Sequence, residues 1–191
     1  VSRSAVNEGY FLHPSDSLIE TDVEAGDALK AVYRPDWNAI AGSPSASNGT
    51  LNLPNNNTEQ RVATPSNVTV GSWEAKIKQE SSANLRFDFI NDNSVQSLSN
   101  GADSNGYQFF FDSGGNEFYL TEYTGTSPSQ LATTPTTYST GAYYVLKVAR
   151  DSYGNFELFS DGSSEATTTD TKYNSTETIQ IQDNGGNTKH M

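Results

Sequence analysis

Four oxygen-bearing side chains stand close together in Asp88-Phe-Ile-Asn-Asp-Asn93: Asp88, Asn91, Asp92 and Asn93. A calcium ion takes six to eight oxygen ligands, so this stretch is the candidate loop for Ca²⁺. Arg86, two positions before Asp88, counts against it, because a further acid there would serve a cation better. A second set, Arg86, Asp88, Gln108, Tyr119 and Tyr123, has the chemistry of sugar recognition. A ring covers the C–H face of a sugar, and a few convergent polar groups meet its hydroxyls. Strand alternation turns these five away from the apolar face of their segments. The alternative is that Tyr119 and Tyr123 are packing residues and the rest a solvated face.

Other chemistries find little support. His13 and His190 lie near opposite ends of the chain, cysteine is absent, and no Gly-x-Ser-x-Gly turn occurs. Thiolate metal sites and triad-type nucleophiles are therefore not expected. Hydrolysis of a glycosidic bond needs two carboxyl groups about 5–5.5 Å apart, or about 6.5–9.5 Å for inversion. Glu74 and Glu80 are separated by basic residues, and Glu117 and Glu122 differ in parity, which places them on opposite faces of a strand. Asn48, Asn56, Asn67 and Asn174 each head an Asn-x-Ser/Thr sequon, about what so many Ser and Thr give by chance.

The elements that must position these residues read as strands. Gly141 to Gly162 is the clearest: Tyr144, Leu146 and Val148 alternate with Tyr143, Val145 and Lys147, and Phe156 and Leu158 follow a turn at Asp151–Asn155. Trp73, Ala75 and Ile77 alternate with Glu74, Lys76 and Lys78, and Leu85, Phe87 and Phe89 repeat the pattern. Tyr107–Phe111 should pair with Glu117–Tyr123, and three successive phenylalanines, Phe109 to Phe111, imply a strand covered on both faces. Asp92–Asn105 and Thr124–Thr140 are expected to be loops. About a dozen short strands without a convincing helix predict an all-β, two-sheet antiparallel sandwich over residues 36–191. Residues 1–35 differ in pattern and are expected to be a connector or attachment segment.

The formal net charge is −12, with 23 acidic and 11 basic residues. Nucleic acid and anionic lipid are poor partners for such a chain, because phosphate binding needs clustered Lys and Arg. No apolar run reaches the roughly 18 residues of a membrane span, so membrane insertion is not expected. Acidity of this kind serves solubility and also suits a high-salt (halophilic) setting. Val1 and the polar run Asn184–Met191 give the chain the look of a piece excised from something longer.

Several segments together carry a family resemblance. Trp37 to Leu51, Gly71 to Lys78 and the hairpin from Tyr138 to Gly162 are similar, in order and spacing, to strands of the concanavalin A-like (laminin G-like) jelly rolls. That superfamily includes lectins, glycosidases, adhesion modules and virion surface domains. Its laminarinase-like glycosidases carry Glu-x-Asp-x-x-Glu on one strand, and neither that pattern nor a near variant is evident here. The resemblance therefore implies a non-catalytic, lectin-like module. It would bind a surface glycan or glycoprotein and be displayed extracellularly, on a virion fibre, spike or turret or on a cell. The alternatives are a structural domain assembled with copies of itself or with neighbouring subunits, and a glycoside hydrolase-like domain.

Overall fold

A computed structural model describes residues 37–47, 50–53, 59–79, 85–99, 104–112, 117–125, 127–135, 137–139, 141–183 and 189–190. The segment expected to be a connector, 1–35, and the hairpin dipeptide Asn48-Gly49 lie outside the described residues. Fourteen strands and one short helix are described: β1 (Asn38–Ala41), β2 (Ser45–Ser47), β3 (Thr50–Leu53), β4 (Gln60–Pro65), β5 (Gly71–Gln79), β6 (Leu85–Asn91), α1 (Val95–Ser99), β7 (Asn105–Asp112), β8 (Glu117–Thr124), β9 (Ser127–Thr133), β10 (Tyr143–Arg150), β11 (Asn155–Ser160), β12 (Ser163–Thr169), β13 (Thr178–Asp183) and β14 (Lys189–His190).

They form two seven-stranded sheets, one in the order β1-β4-β13-β6-β7-β8-β9 and one in the order β12-β11-β10-β5-β14-β3-β2. Every described pairing is antiparallel. The alternation read from the sequence supplies the facing apolar layers. Phe87, Phe89, Phe109, Phe118, Leu120 and Ile181 come from the first sheet, and Trp73, Ile77, Leu146, Val148, Phe156 and Leu158 from the second. Rings lock the layers together, with Trp73 against Phe89 at 4.7 Å and Tyr107 edge-on to Phe156 at 4.9 Å between centroids.

Two expectations are corrected. The Ser/Thr/Pro-rich stretch after Thr124 contains strand β9, which pairs with β8. It is an edge strand with mostly exposed side chains, so it needs no apolar alternation and tolerates Pro128. The expected loop after Asn91 contains α1, in which Ser94 Oγ accepts the Ser97 backbone N–H at 3.2 Å and caps the first turn.

Candidate functional site

The first sheet turns its second face away from the core, and register assembles that face. One row crosses five strands: Arg61 on β4, Gln182 on β13, Arg86 on β6, Phe110 on β7 and Tyr119 on β8. The adjacent row is Ala63, Gln180, Asp88, Gln108 and Thr121. In the first row the Arg86 guanidinium lies 5.5 Å from the centroid of Phe110, and Phe110 stacks on Tyr119 at 6.1 Å with 23° between planes. Arg86, Phe110, Tyr119 and Gln182 are half-buried, so this row forms an accessible, largely planar strip. Glu59 holds one end through an ion pair with Arg61 and accepts Gln182 Nε2 at 3.1 Å. Glu117 holds the other, accepting the Tyr119 hydroxyl at 2.6 Å.

The second row is buried. Asp88 is 3% exposed, Gln180 3%, Gln108 6% and Thr121 6%. Gln180 Nε2 donates to Asp88 Oδ2 at 2.6 Å, while Asp88 Oδ1, Gln180 Oε1 and Thr121 Oγ1 are buried without a hydrogen-bond partner. Burial pushes the Asp88 carboxyl up to about 6, against the pull of Arg86, Gln180 and Arg61. The segment after β6 folds over this end of the sheet. Helix α1 contacts β1 and β4, and Leu98 is buried outside the main core cluster.

Strand β6 carries a bulge between Asp88 and Ile90. An extra residue shifts parity, so Ile90 turns into the core while Asn91, opposite Gly106, returns to the face of Arg86 and Asp88. Arg86-x-Asp88-x-x-Asn91 therefore shares one face with the spacing of the Glu-x-Asp-x-x-Glu pattern, with Arg and Asn in the two outer places.

The two predicted residue sets are thus divided. Of the five sugar-site candidates, Arg86 and Tyr119 lie on the accessible strip. Asp88 and Gln108 lie in the buried row behind it. Tyr123 is 6% exposed and donates its hydroxyl to the Ile90 carbonyl at 3.4 Å, a packing position. Sequence reasoning missed Phe110, Gln182 and Arg61. Phe110 was within reach, since it shares the parity of Gln108.

The calcium set does not fit the ion. Asp92 Oδ1 and Oδ2 accept the backbone and side-chain N–H groups of Asn105 at 2.8 and 2.6 Å, and Asn91 Oδ1 accepts the Asn93 N–H at 2.9 Å. These oxygens brace the loop, and Asp88 sits in the buried row. Among the described residues no group of three His, Asp or Glu side chains could hold a metal ion.

Two antiparallel sheets packed face to face, with a polar and aromatic outer face on one of them, define a concanavalin A-like jelly roll. Solved structures with this fold resemble the chain in shape. They include the carbohydrate-binding module CBM66 from Bacillus subtilis (12% identity, TM-score 0.62, covering 82% of this chain and 96% of that one). The Emp47p carbohydrate recognition domain matches at 14% identity and TM-score 0.64, covering 98% and 95%. A Bacillus licheniformis β-glucanase matches at 10% identity and TM-score 0.60, covering 97% and 95%. No protein-family model and no curated protein matches the sequence. Among the described residues no helix is long and apolar enough to cross a membrane.

Proposed function

We propose that the chain is a non-catalytic glycan-binding module acting outside the cell, with the Arg61–Gln182–Arg86–Phe110–Tyr119 strip as its binding surface. The observation that carries this reading is the strip itself: two stacked rings and planar polar side chains in one row, accessible on an otherwise packed sandwich. Five strands at about 4.8 Å spacing make it roughly 19 Å long, which suits an extended oligosaccharide laid across the strands. The resemblance to a carbohydrate-binding module and a carbohydrate recognition domain supports the same reading.

The absence of catalysis rests on the carboxylates of this face. Asp88 is buried and is flanked at the motif spacing by Arg86 and Asn91. Glu59 and Glu117 stand at opposite ends of the strip, too far apart to act on one bond. A broad glycan array with the purified chain tests the proposal. Binding is expected, with Phe110→Ala and Tyr119→Ala each weakening it about 3- to 10-fold, the usual worth of one aromatic contact. Incubation with the bound glycan should release no reducing ends. A panel without a single binder would overturn the recognition reading, and steady release of product would overturn the non-catalytic one.

A further inference from the structure

The strip holds two cations in different situations. Arg61 is answered by Glu59. Arg86 has no ion pair and no hydrogen bond among the described residues, and its guanidinium is held against the Phe110 ring. Its Nε is buried without a partner, so the terminal nitrogens are the part that reaches the accessible face. Asp88, two positions along the same strand face, lies in the buried row, with Oδ2 already accepting Gln180. A planar fork fixed on a ring, with its donors open, has already lost much of the freedom that binding would cost it, and its geometry matches two oxygens of one anion.

The surroundings limit how much negative charge that anion can bring. Glu117, on β8, stands two strand spacings, or roughly 10 Å, from β6, and Glu59 lies toward the other end of the strip, where it pairs with Arg61 and accepts Gln182 of β13. The chain as a whole carries a formal −12. A densely charged polymer would meet repulsion at the Glu117 end and no net attraction at the paired Glu59–Arg61 end, whereas a single anionic group over Arg86 with neutral sugars on either side would meet neither limit.

Resting on the glycan-binding reading above, we infer that the ligand is a sparsely acidic glycan whose one carboxylate or sulfate group is received by the terminal nitrogens of Arg86, with neutral sugars on the neighbouring rings and amides. Arg86 thereby sets specificity. The sugars on either side rest on Phe110 and Tyr119 in one direction and on Gln182 and Arg61 in the other.

Calorimetric titration of the full chain tests this with four pentasaccharides of one backbone. One is neutral, one has a single central glucuronate, one has a single central sulfate, and one is sulfated on every residue. A mono-acidic form, carboxylate or sulfate, should bind about tenfold or more tightly than the neutral form, and the fully sulfated form more weakly than the better mono-acidic one. The preferred mono-acidic form identifies the group. Arg86→Gln should reduce the preference for the mono-acidic form over the neutral one to within about twofold, the mono-acidic form losing more affinity than the neutral form. Arg86→Lys, which keeps the charge and loses the planar fork, should be intermediate, and circular dichroism and melting temperature confirm that both variants fold. Equal or tighter binding of the neutral form, tightest binding of the fully sulfated form, or a preference that survives Arg86→Gln would overturn the assignment and leave glycan binding standing. Binding of none of the four, together with a blank glycan array, would overturn the glycan reading itself.

Discussion

At the scale of single residues, Asp88 and Tyr107 show how buried polar groups set stability. Asp88 has a folded pKa of about 6 against an ordinary 3.8. Between those values the folded chain binds more protons than the unfolded one, so this group's contribution to stability falls as pH rises from about 4 to 6 and stays low above. A shift of this size corresponds to about 3 kcal/mol. Asp88→Asn, which keeps an acceptor for Gln180, should come closest to wild type near pH 4, exceed it increasingly as pH rises to about 6, and keep a level advantage from there to pH 7.5 in urea unfolding. A stability difference that does not change with pH would sink this account. Tyr107 is fully buried, and its hydroxyl donates to Asp170 and accepts the Tyr173 N–H at 3.1 Å. It ties the 170–177 segment to the sheet end. Tyr107→Phe leaves the Tyr173 N–H without its acceptor and removes one donor from Asp170, whose Oδ1 still accepts the Lys172 N–H at 2.9 Å, and should cost about 1–3 kcal/mol, read from the denaturation midpoint.

At the scale of elements, the bulge in β6 organises the face. It turns Ile90 inward and Asn91 outward, and β7 accommodates it with Gly106 at φ 154°. A Cβ at this glycine would lie 1.8 Å from the Ile90 carbonyl oxygen, a backbone atom that cannot swing away. Gly106→Ala should therefore destabilise by at least about 2 kcal/mol, through overpacking and backbone displacement. Gly141 provides the comparison. Its φ is 83°, and the space where a methyl group would lie is open, so Gly141→Ala should cost only the left-handed penalty of about 1–2 kcal/mol. Equal losses at both sites, measured by thermal unfolding, would mean that the close approach at the bulge relaxes without cost.

At the scale of the whole molecule, charge and packing respond differently to salt. The excess of twelve negative charges repels itself in dilute buffer, and the Debye length falls from about 10 Å at 0.1 M to about 3 Å at 1 M. Burial of rings such as Trp73, Phe89 and Phe109 is not weakened by salt. The melting temperature should rise steadily from 0.1 to 2 M KCl. A variant with several exposed acids changed to Lys should rise less. Identical salt profiles for the two proteins would leave solubility as the whole meaning of the acidity.

The two-sheet architecture and most of the core were legible in the sequence, because a residue's face within a strand follows from a local period of two. Trp73, Ala75 and Ile77, Phe109 and Phe111, and Leu146 and Val148 all face inward as that period requires. Phe110, between two core rings, belongs to the opposite face for the same reason. Tertiary structure decided which polar residues on that face stay open. Gln180 lies 92 positions from Asp88, and only the placement of β13 between β4 and β6 brings them into one row. The bulge at Asp88–Ile90 breaks the period locally, which is why parity alone could not put Asn91 beside Arg86 and Asp88. Helix α1 packs against β1 and β4, and on the strands beyond them Arg86, Phe110 and Tyr119 remain accessible while Asp88, Gln108 and Tyr123 are buried. Alternation is a property of neighbours along the chain, whereas strand order and cover depend on contacts between residues far apart in it.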